Sequence, residues 1–207
     1  MTNILIVEDS KLARESVERQ LQDIEGFNVL TSIENAANAE ILCMKADIDL
    51  ILMDVCTADG ESGLKAAERI KKLYPNIKII IMTSMPEHSF IEKARSCGCE
   101  SFWYKDSDGL TLTELCCRTV NGETIYPDGT PKIRIGIAES TDFTEREMAV
   151  IRKLVSGSTY SNIADELGIT ENTVKFHIKN ILSKTGFKNT LQLVSDVVEK
   201  RLILPNY

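Results

Sequence analysis

The chain of 207 residues is longer than one typical domain, and its 43% hydrophobic and 27% charged residues are typical of a globular protein. No apolar run reaches the roughly 20 residues of a membrane-spanning helix, and the N-terminus carries acids where a secretory signal would be basic and then apolar. We therefore expect a cytoplasmic protein of two small domains with no membrane contact.

Residues 1–120 alternate short apolar runs with segments of helical spacing. The apolar runs predict five strands, at Ile4–Val7, Phe27–Leu30, Leu50–Met53, Ile77–Met82 and Ser101–Tyr104. Five helices are predicted between and after them, at Lys11–Leu21, Ala36–Lys45, Leu64–Leu73, Phe90–Ser96 and Leu110–Val120. This alternation predicts an α/β domain with a parallel, doubly wound sheet.

The periodicity fails from Asn121 to about Asp142, where Gly and Pro supply turns, so we predict a linker at 121–141. Thr144 and Glu147 then have the spacing of a helix-capping box. Four short helices are predicted near 145–155, 160–167, 171–184 and 190–200. The pattern therefore predicts an all-α domain over 142–207.

Charge is divided unevenly between the two halves. Residues 1–140 hold 15 Lys and Arg against 23 Asp and Glu, whereas residues 141–207 hold 9 against 8. The net charge of -7 argues against nonspecific binding to polyanions. Any contact with DNA must therefore come from a local basic face of the second domain.

Carboxylates follow two of the predicted strands. Glu8 and Asp9 come directly after the first strand, and Asp54 follows the third. Ligands of such sheets bind at the carboxyl ends of the strands, and a cluster of hard oxygen ligands there suits Mg²⁺. Thr83 ends the fourth strand and Lys105 follows the fifth, so that a hydroxyl and an ammonium can bind a phosphoryl group at the same edge.

These residues resemble the receiver domain of bacterial response regulators, and the resemblance covers nearly all of residues 1–120. It implies a flavodoxin-like, five-stranded parallel (βα)5 fold in which Asp54 accepts phosphate from a sensor histidine kinase. The Mg²⁺ ligands that it implies are Glu8, Asp9, Asp54 and the backbone carbonyl of Cys56. The implied phosphoryl-binding and switch residues are Thr83, Phe102 and Lys105.

Single members of this set also have ordinary structural explanations. Asp9 could cap the following helix, Thr83 could simply end a strand, and Phe102 could be a core residue. Their joint occurrence favours the receiver.

The loop after Asp54 departs from the family pattern. Ala58 stands where the family usually has Pro, and Gly63-Leu64 comes about one residue late, which predicts an insertion. Cys56 and Met85 occupy positions that influence hydrolysis of the acyl phosphate in the family. Because neither side chain orients water well, we expect a long-lived phosphoryl group.

Residues 143–189 resemble the LuxR-type helix-turn-helix. Its motif residues include Thr144-Glu145-Arg146-Glu147, Ile163-Ala164, Thr173-Val174-Lys175 and His177. With the receiver, it indicates the NarL/FixJ subfamily. The resemblance implies promoter DNA as a partner and a homodimer, paired through the last helix, when active.

Rotation of about 100° per residue along Glu171–Lys184 separates a buried stripe from an outward face. The stripe contains Val174, Ile178 and Ile181, whereas the outward face and its shoulder contain Asn172, Lys175, Phe176, Lys179 and Ser183.

Lysines on this face can donate to guanine or phosphate, and an outward Phe176 can pack on a thymine methyl. Four Lys and no acid between Asn172 and Lys188 favour DNA over an ordinary solvated face. Thr159 and Thr173 lie near helix starts, where they either hold phosphates or cap the helices. The predicted DNA-binding residues are Asn172, Thr173, Lys175, Phe176, Lys179 and Thr159.

The features together predict a two-component response regulator, not an enzyme, in which phosphorylation of Asp54 controls sequence-specific DNA binding. A DNA-binding regulator without phosphorylation control is the alternative. An aspartyl-phosphate phosphohydrolase is disfavoured because its usual second Asp would stand at Cys56. A second domain that acts as a protein or RNA adaptor also stays open.

Overall fold

A computed structural model of the chain describes residues 1–105 and 110–200, apart from the side chains of Asp59, His88 and Glu145. The chain divides into two compact units, Met1–Thr130 and Pro131–Tyr207. Among the described residues, no helix is both long and apolar enough to cross a membrane.

The first unit alternates strands with helices as the sequence predicts. Its strands are β1 (Thr2–Val7), β2 (Phe27–Ile33), β3 (Leu50–Asp54), β4 (Lys78–Thr83) and β5 (Ser101–Tyr104). Its helices are α1 (Lys11–Gln22), α2 (Ala39–Lys45), α3 (Gly63–Leu73), α4 (His88–Ser96) and α5 (Leu112–Val120). Strand β3 is buried along its whole length, which accounts for its apolar run without alternation.

The five strands form one parallel sheet in the order β2-β1-β3-β4-β5, which confirms the predicted α/β fold. Strands β1 and β3 are neighbours, with Val7 opposite Met53. The chain order reverses between these two strands, and sheets of this kind bind ligands beyond the carboxyl ends of the strands at such a point. The residues that follow Val7 and Met53 therefore meet at one edge of the sheet.

The second unit contains the four predicted helices: α6 (Glu145–Val155), α7 (Tyr160–Leu167), α8 (Glu171–Thr185) and α9 (Thr190–Glu199). Its core is formed by buried side chains from all four helices, including Val150, Ile163, Val174, Ile181 and Leu193. The predicted capping box at the start of α6 is present, with Thr144 and Glu147 each accepting a hydrogen bond from the other's backbone amide.

Both ends of the segment 121–141, predicted as a linker, belong to the flanking units. Ile125 forms a parallel bridge with Ser101 of β5. Farther along, β6 (Arg134–Ile135) and β7 (Ala138–Glu139) form an antiparallel hairpin that buries Ile135 in the core of the second unit. Strands of one or two residues have no alternation of apolar and polar positions, so periodicity does not reveal them.

Candidate phosphorylation site and DNA interface

Three carboxylates meet at the carboxyl ends of β1 and β3. Glu8 and Asp54 are buried, with 1% and 6% of their surface exposed, whereas Asp9 is exposed. One ligand oxygen from each of the three lies within 4.8 Å of the others. This set of hard oxygen ligands fits a divalent cation such as Mg²⁺.

The start of helix α1 leaves Asp9 free for such a role. Ser10, not Asp9, caps α1, and its hydroxyl accepts a hydrogen bond of 3.4 Å from the Ala13 amide. The Arg14 guanidinium donates to the Glu8 carbonyl at 2.6 Å and to a Glu34 carboxylate oxygen at 2.8 Å. Sequence reasoning missed Arg14, whose only signal was its place on the first turns of the helix after the acidic pair.

Lys105 lies against the buried carboxylates. Its Nζ contacts the Glu8 carboxylate and lies 3.2 Å from Asp54 Oδ2. Burial raises the pKa of Asp54, and the nearby Lys105 ammonium opposes that rise. The ionised form of Asp54 is therefore stabilised by positive charge at this edge of the sheet.

Thr83 and Phe102 lie on neighbouring strands and are both buried. The Thr83 hydroxyl accepts from the Met85 amide at 3.0 Å, and its carbonyl accepts from the Lys105 amide at 2.9 Å. The Phe102 ring packs edge-on against Tyr104, with ring centroids 5.0 Å apart. Thr83 thus borders Lys105, whereas Phe102 belongs to an aromatic cluster of β5.

The loop after Asp54 is held by hydrogen bonds instead of by a proline. The Ala58 amide donates to the Glu34 carbonyl at 2.9 Å, a bond that Pro lacks the hydrogen to make. The Thr57 hydroxyl accepts from the Ala36 amide at 3.1 Å and donates to the Glu61 carbonyl at 2.7 Å. These bonds account for the unusual residue at 58.

Gly63 begins α3 directly against the backbone of Asp54. A Cβ at this position would lie 1.8 Å from the Asp54 carbonyl oxygen, so only glycine fits. The Gly63 amide donates to the Val55 carbonyl at 2.9 Å. The loop therefore closes tightly on Asp54.

Two sulfur atoms lie close together in the segments that follow Asp54 and Thr83. The Cys56 thiol donates to Met85 Sδ at 3.3 Å, and both residues are buried. Burial raises the pKa of the Cys56 thiol, so it stays protonated. Neither group offers a strong hydrogen-bond partner to a water molecule.

Helix α8 has the rotation that its sequence predicts. Val174, Ile178 and Ile181 are buried in the core of the second unit. The predicted outward residues are exposed: Asn172, Lys175, Phe176, Lys179 and Ser183. Phe176 has 60% of its surface exposed, and its ring packs on His177 with the centroids 5.9 Å apart.

The lysines of α8 differ in how they are held. Lys175 lies 4.0 Å from the Glu171 carboxylate one turn earlier, and both side chains are exposed. Within residues 1–105 and 110–200, no carboxylate is within ion-pair distance of Lys179. Lys184 instead contacts the buried Glu147 carboxylate at 2.7 Å, which removes it from the outward face. The basic face is thus formed by Lys175 and Lys179.

Two threonines predicted near helix starts have different positions. Thr159 is the N-cap of α7, and its hydroxyl accepts from the Asn162 amide at 3.3 Å. Thr173 lies in the first turn of α8, where its hydroxyl is 2.9 Å from that of the capping residue Thr170.

Known families match both units. Residues 4–116 match a family model described as response regulator receiver domain, and residues 141–197 match one described as bacterial regulatory proteins, luxR family. The chain belongs to the response regulators. This response regulator is of the NarL/FixJ type, because a receiver precedes a LuxR-type domain.

The curated relatives are similar over their whole length. The chain is 29% identical over 205 residues to the response regulator protein VraR of Staphylococcus saprophyticus, covering 97% of this chain and 98% of VraR. It is also 29% identical over 207 residues to VraR of Staphylococcus aureus strain Mu50, with the same coverage.

Solved structures share the fold of this response regulator. RcsB of Salmonella typhimurium aligns with a TM-score of 0.57 at 18% identity, covering 96% of this chain and 100% of RcsB. A structure of two RcsB dimers bound to two parallel DNAs aligns with a TM-score of 0.60 at 19% identity, covering 95% of this chain and 98% of RcsB.

Proposed function

We propose that phosphorylation of Asp54 by a sensor histidine kinase controls binding of this response regulator to promoter DNA. The observation that carries the proposal is the meeting of Glu8, Asp9 and Asp54 with Lys105 at the carboxyl edge of the sheet. It supplies an acceptor carboxylate, oxygen ligands for Mg²⁺ and a cation for phosphoryl oxygens at one place.

In the transfer, an Asp54 carboxylate oxygen forms a bond to phosphorus while the bond from phosphorus to the kinase histidine nitrogen breaks. Glu8, Asp9, Asp54 and the Cys56 carbonyl are the residues that would hold Mg²⁺, which supplies neutralising charge for the phosphoryl oxygens. Lys105 and the Thr83 hydroxyl donate to the transferred group. No enzyme activity on a separate substrate is part of this proposal.

The switch is a shift between two receiver states. The Thr83 hydroxyl turns toward the phosphoryl group, and Phe102 fills the space that Thr83 leaves. The surface formed by the last strands and helices changes with these two side chains.

DNA is bound through α8. Asn172, Lys175, Phe176 and Lys179 reach base edges and phosphates in the major groove, and the helix starts at Thr159 and Thr173 hold phosphates. On α9, Leu193 and Val197 are buried and close the unit, whereas Leu191 is 76% exposed. The exposed apolar residues of α9 pair two copies of the chain, which then read inverted half-sites.

The test uses acetyl phosphate and the full chain. Acetyl phosphate should label the wild-type protein in the presence of Mg²⁺, whereas the Asp54→Asn variant should take no label. The Asp128→Asn variant, which changes an exposed acid outside the site, should be labelled like wild type. Labelling of the Asp54→Asn variant would show that another residue is the acceptor.

DNA binding is tested on a duplex selected from a random pool by the phosphorylated protein. Lys179→Gln should weaken binding and lower the salt slope by about 1, because one phosphate or base contact is lost. Lys153→Gln, which changes a half-exposed lysine of α6, should leave the slope unchanged. Equal slopes for both variants would contradict the proposed contact of Lys179 with DNA.

A further inference from the structure

The chain turns back on itself after α5. Gly122 has a φ of 96°, and its amide donates to the Thr119 carbonyl at 3.0 Å, so the helix ends in a glycine cap that reverses the chain. The Glu123 carboxylate then pairs with Arg118 at 2.7 Å. This turn directs the next residues along the edge of the sheet.

Residue Ile125 extends the sheet beyond β5. It forms a parallel bridge with Ser101. Its amide donates to the Glu100 carbonyl at 3.2 Å, and its carbonyl accepts from the Phe102 amide at 2.9 Å. The segment that leaves the first unit is therefore bound to the strand that carries Phe102.

Tyr126 ties the same segment to Phe102 through its side chain. The two rings are stacked, with centroids 6.4 Å apart and an interplanar angle of 27°. The Tyr126 hydroxyl donates to the Cys99 carbonyl at 2.7 Å, and the Arg95 guanidinium of α4 lies 4.0 Å from the ring centroid. Tyr126 therefore contacts both Arg95 of α4 and Phe102 of β5.

We propose that Ile125 and Tyr126 are positioning residues that transmit the state of Phe102 to the segment entering the second unit. The inference rests on the proposed function, in which phosphorylation moves Phe102. When the Phe102 ring moves toward Thr83, it leaves the ring of Tyr126. The short strand at Ile125 loses the side-chain contact that supports its two backbone hydrogen bonds.

Release of this strand lengthens the segment between the two units that is bound to neither of them. The other end of the connection is fixed within the second unit, where the Ile133 amide donates to the Ser140 hydroxyl at 3.1 Å. Because Glu123 stays paired with Arg118, the connection grows from residues 127–132 to residues 124–132. At 3.3–3.6 Å per extended residue, the three added residues increase its reach by about 10 Å. The receiver state thus sets how freely the second unit moves to pair on DNA.

Hydrogen exchange on the full chain tests the release directly. With Mg²⁺ and beryllofluoride, a mimic of the phosphoryl group, the Ile125 and Phe102 amides should exchange faster, while amides in β1 and β3 stay unchanged. Exchange at Ile125 that is unchanged or slower would overturn the inference.

A variant test separates this role from simple stability. Wild-type DNA affinity should change about 5- to 150-fold on phosphorylation by acetyl phosphate, the usual range of allosteric coupling. In Tyr126→Leu, the ratio of DNA affinities with and without phosphorylation should be close to 1, and labelling of Asp54 should be unchanged. Tyr74→Leu, a tyrosine at the end of α3, should keep the wild-type ratio.

Arg95→Gln provides a second variant if Tyr126→Leu does not fold, because Arg95 is exposed and its loss removes the contact on the Tyr126 ring. We expect Arg95→Gln to lower the ratio of DNA affinities with and without phosphorylation, but by less than Tyr126→Leu. A wild-type ratio retained in both variants would overturn this inference alone. If phosphorylation does not change the DNA affinity of the wild-type protein, both the proposed function and this inference are wrong.

Discussion

The side chains around Asp54 are of two kinds, those that shape the site and those that we propose control its chemistry. Gly63 belongs to the first kind, because any larger residue would meet the Asp54 carbonyl. Cys56 and Met85 belong to the second kind. Their buried sulfur atoms lie 3.3 Å apart and offer no strong hydrogen-bond partner to a water molecule.

The lifetime of phosphorylated Asp54 should therefore depend on Cys56. In Cys56→Asn, an amide that can orient water replaces a protonated thiol, and we expect the phosphoryl group to decay about 10- to 100-fold faster. The measurement is loss of label from the phosphorylated full chain at neutral pH. Cys117→Asn on α5 serves as the control and should keep the wild-type lifetime. Wild-type decay within seconds, or an unchanged lifetime in Cys56→Asn, would contradict the account.

Among the elements, α6 and α8 are joined by an ion pair whose carboxylate is buried. Glu147 closes the capping box of α6 and also contacts Lys184 near the end of α8. Burial acts to raise the pKa of Glu147, but hydrogen bonds from Lys184 and from Thr144 outweigh burial and hold the pKa below its ordinary value. This pair fixes the orientation of the helix proposed to read DNA.

Because the folded pKa of Glu147 is lowered, its stabilisation is present above the unfolded pKa and is lost as pH falls through the folded value. Glu147→Gln keeps the shape of the cap without the charge. At pH 7, hydrogen exchange of α6 and α8 amides in the full chain should show a loss of about 1 to 3 kcal/mol in the variant.

The difference between wild type and Glu147→Gln should shrink as pH is lowered below about 4.5, the ordinary value for Glu. Glu166→Gln is the matched control, because Glu166 pairs with Lys153 at the surface, where ion pairs contribute little. A Glu147→Gln effect that is independent of pH would show that the charge is not responsible.

The elements also show what the sequence could predict. Strands, helices and the buried stripe of α8 were predicted because each repeats its pattern over several residues. The β6–β7 hairpin and the strand at Ile125 were missed because they are too short to show a period. At the site, the carboxylates were predicted from strand ends. The bonds from Arg14 to Glu34 and from Ala36 to Thr57 join segments distant in sequence, so only the fold reveals them.

At the scale of the whole molecule, the charged residues and the two proposed activities are divided between two units. The receiver carries the excess of acids and the phosphorylation chemistry, whereas the second unit is nearly neutral and places Lys175 and Lys179 on one exposed face. The division explains how a chain of net charge -7 can bind a polyanion. It also means that the two proposed activities can be changed separately by substitution.

The central claim is that phosphorylation of Asp54 controls where and how strongly the protein occupies DNA. The most direct measurement is genome-wide mapping of bound sites for wild type and the Asp54→Asn variant, expressed at equal levels under the activating signal. We predict that wild type occupies a defined set of promoters with inverted half-sites and that the variant loses most of this occupancy. Equal occupancy of the same promoters by both proteins would contradict phosphorylation control and favour a regulator that binds DNA without it.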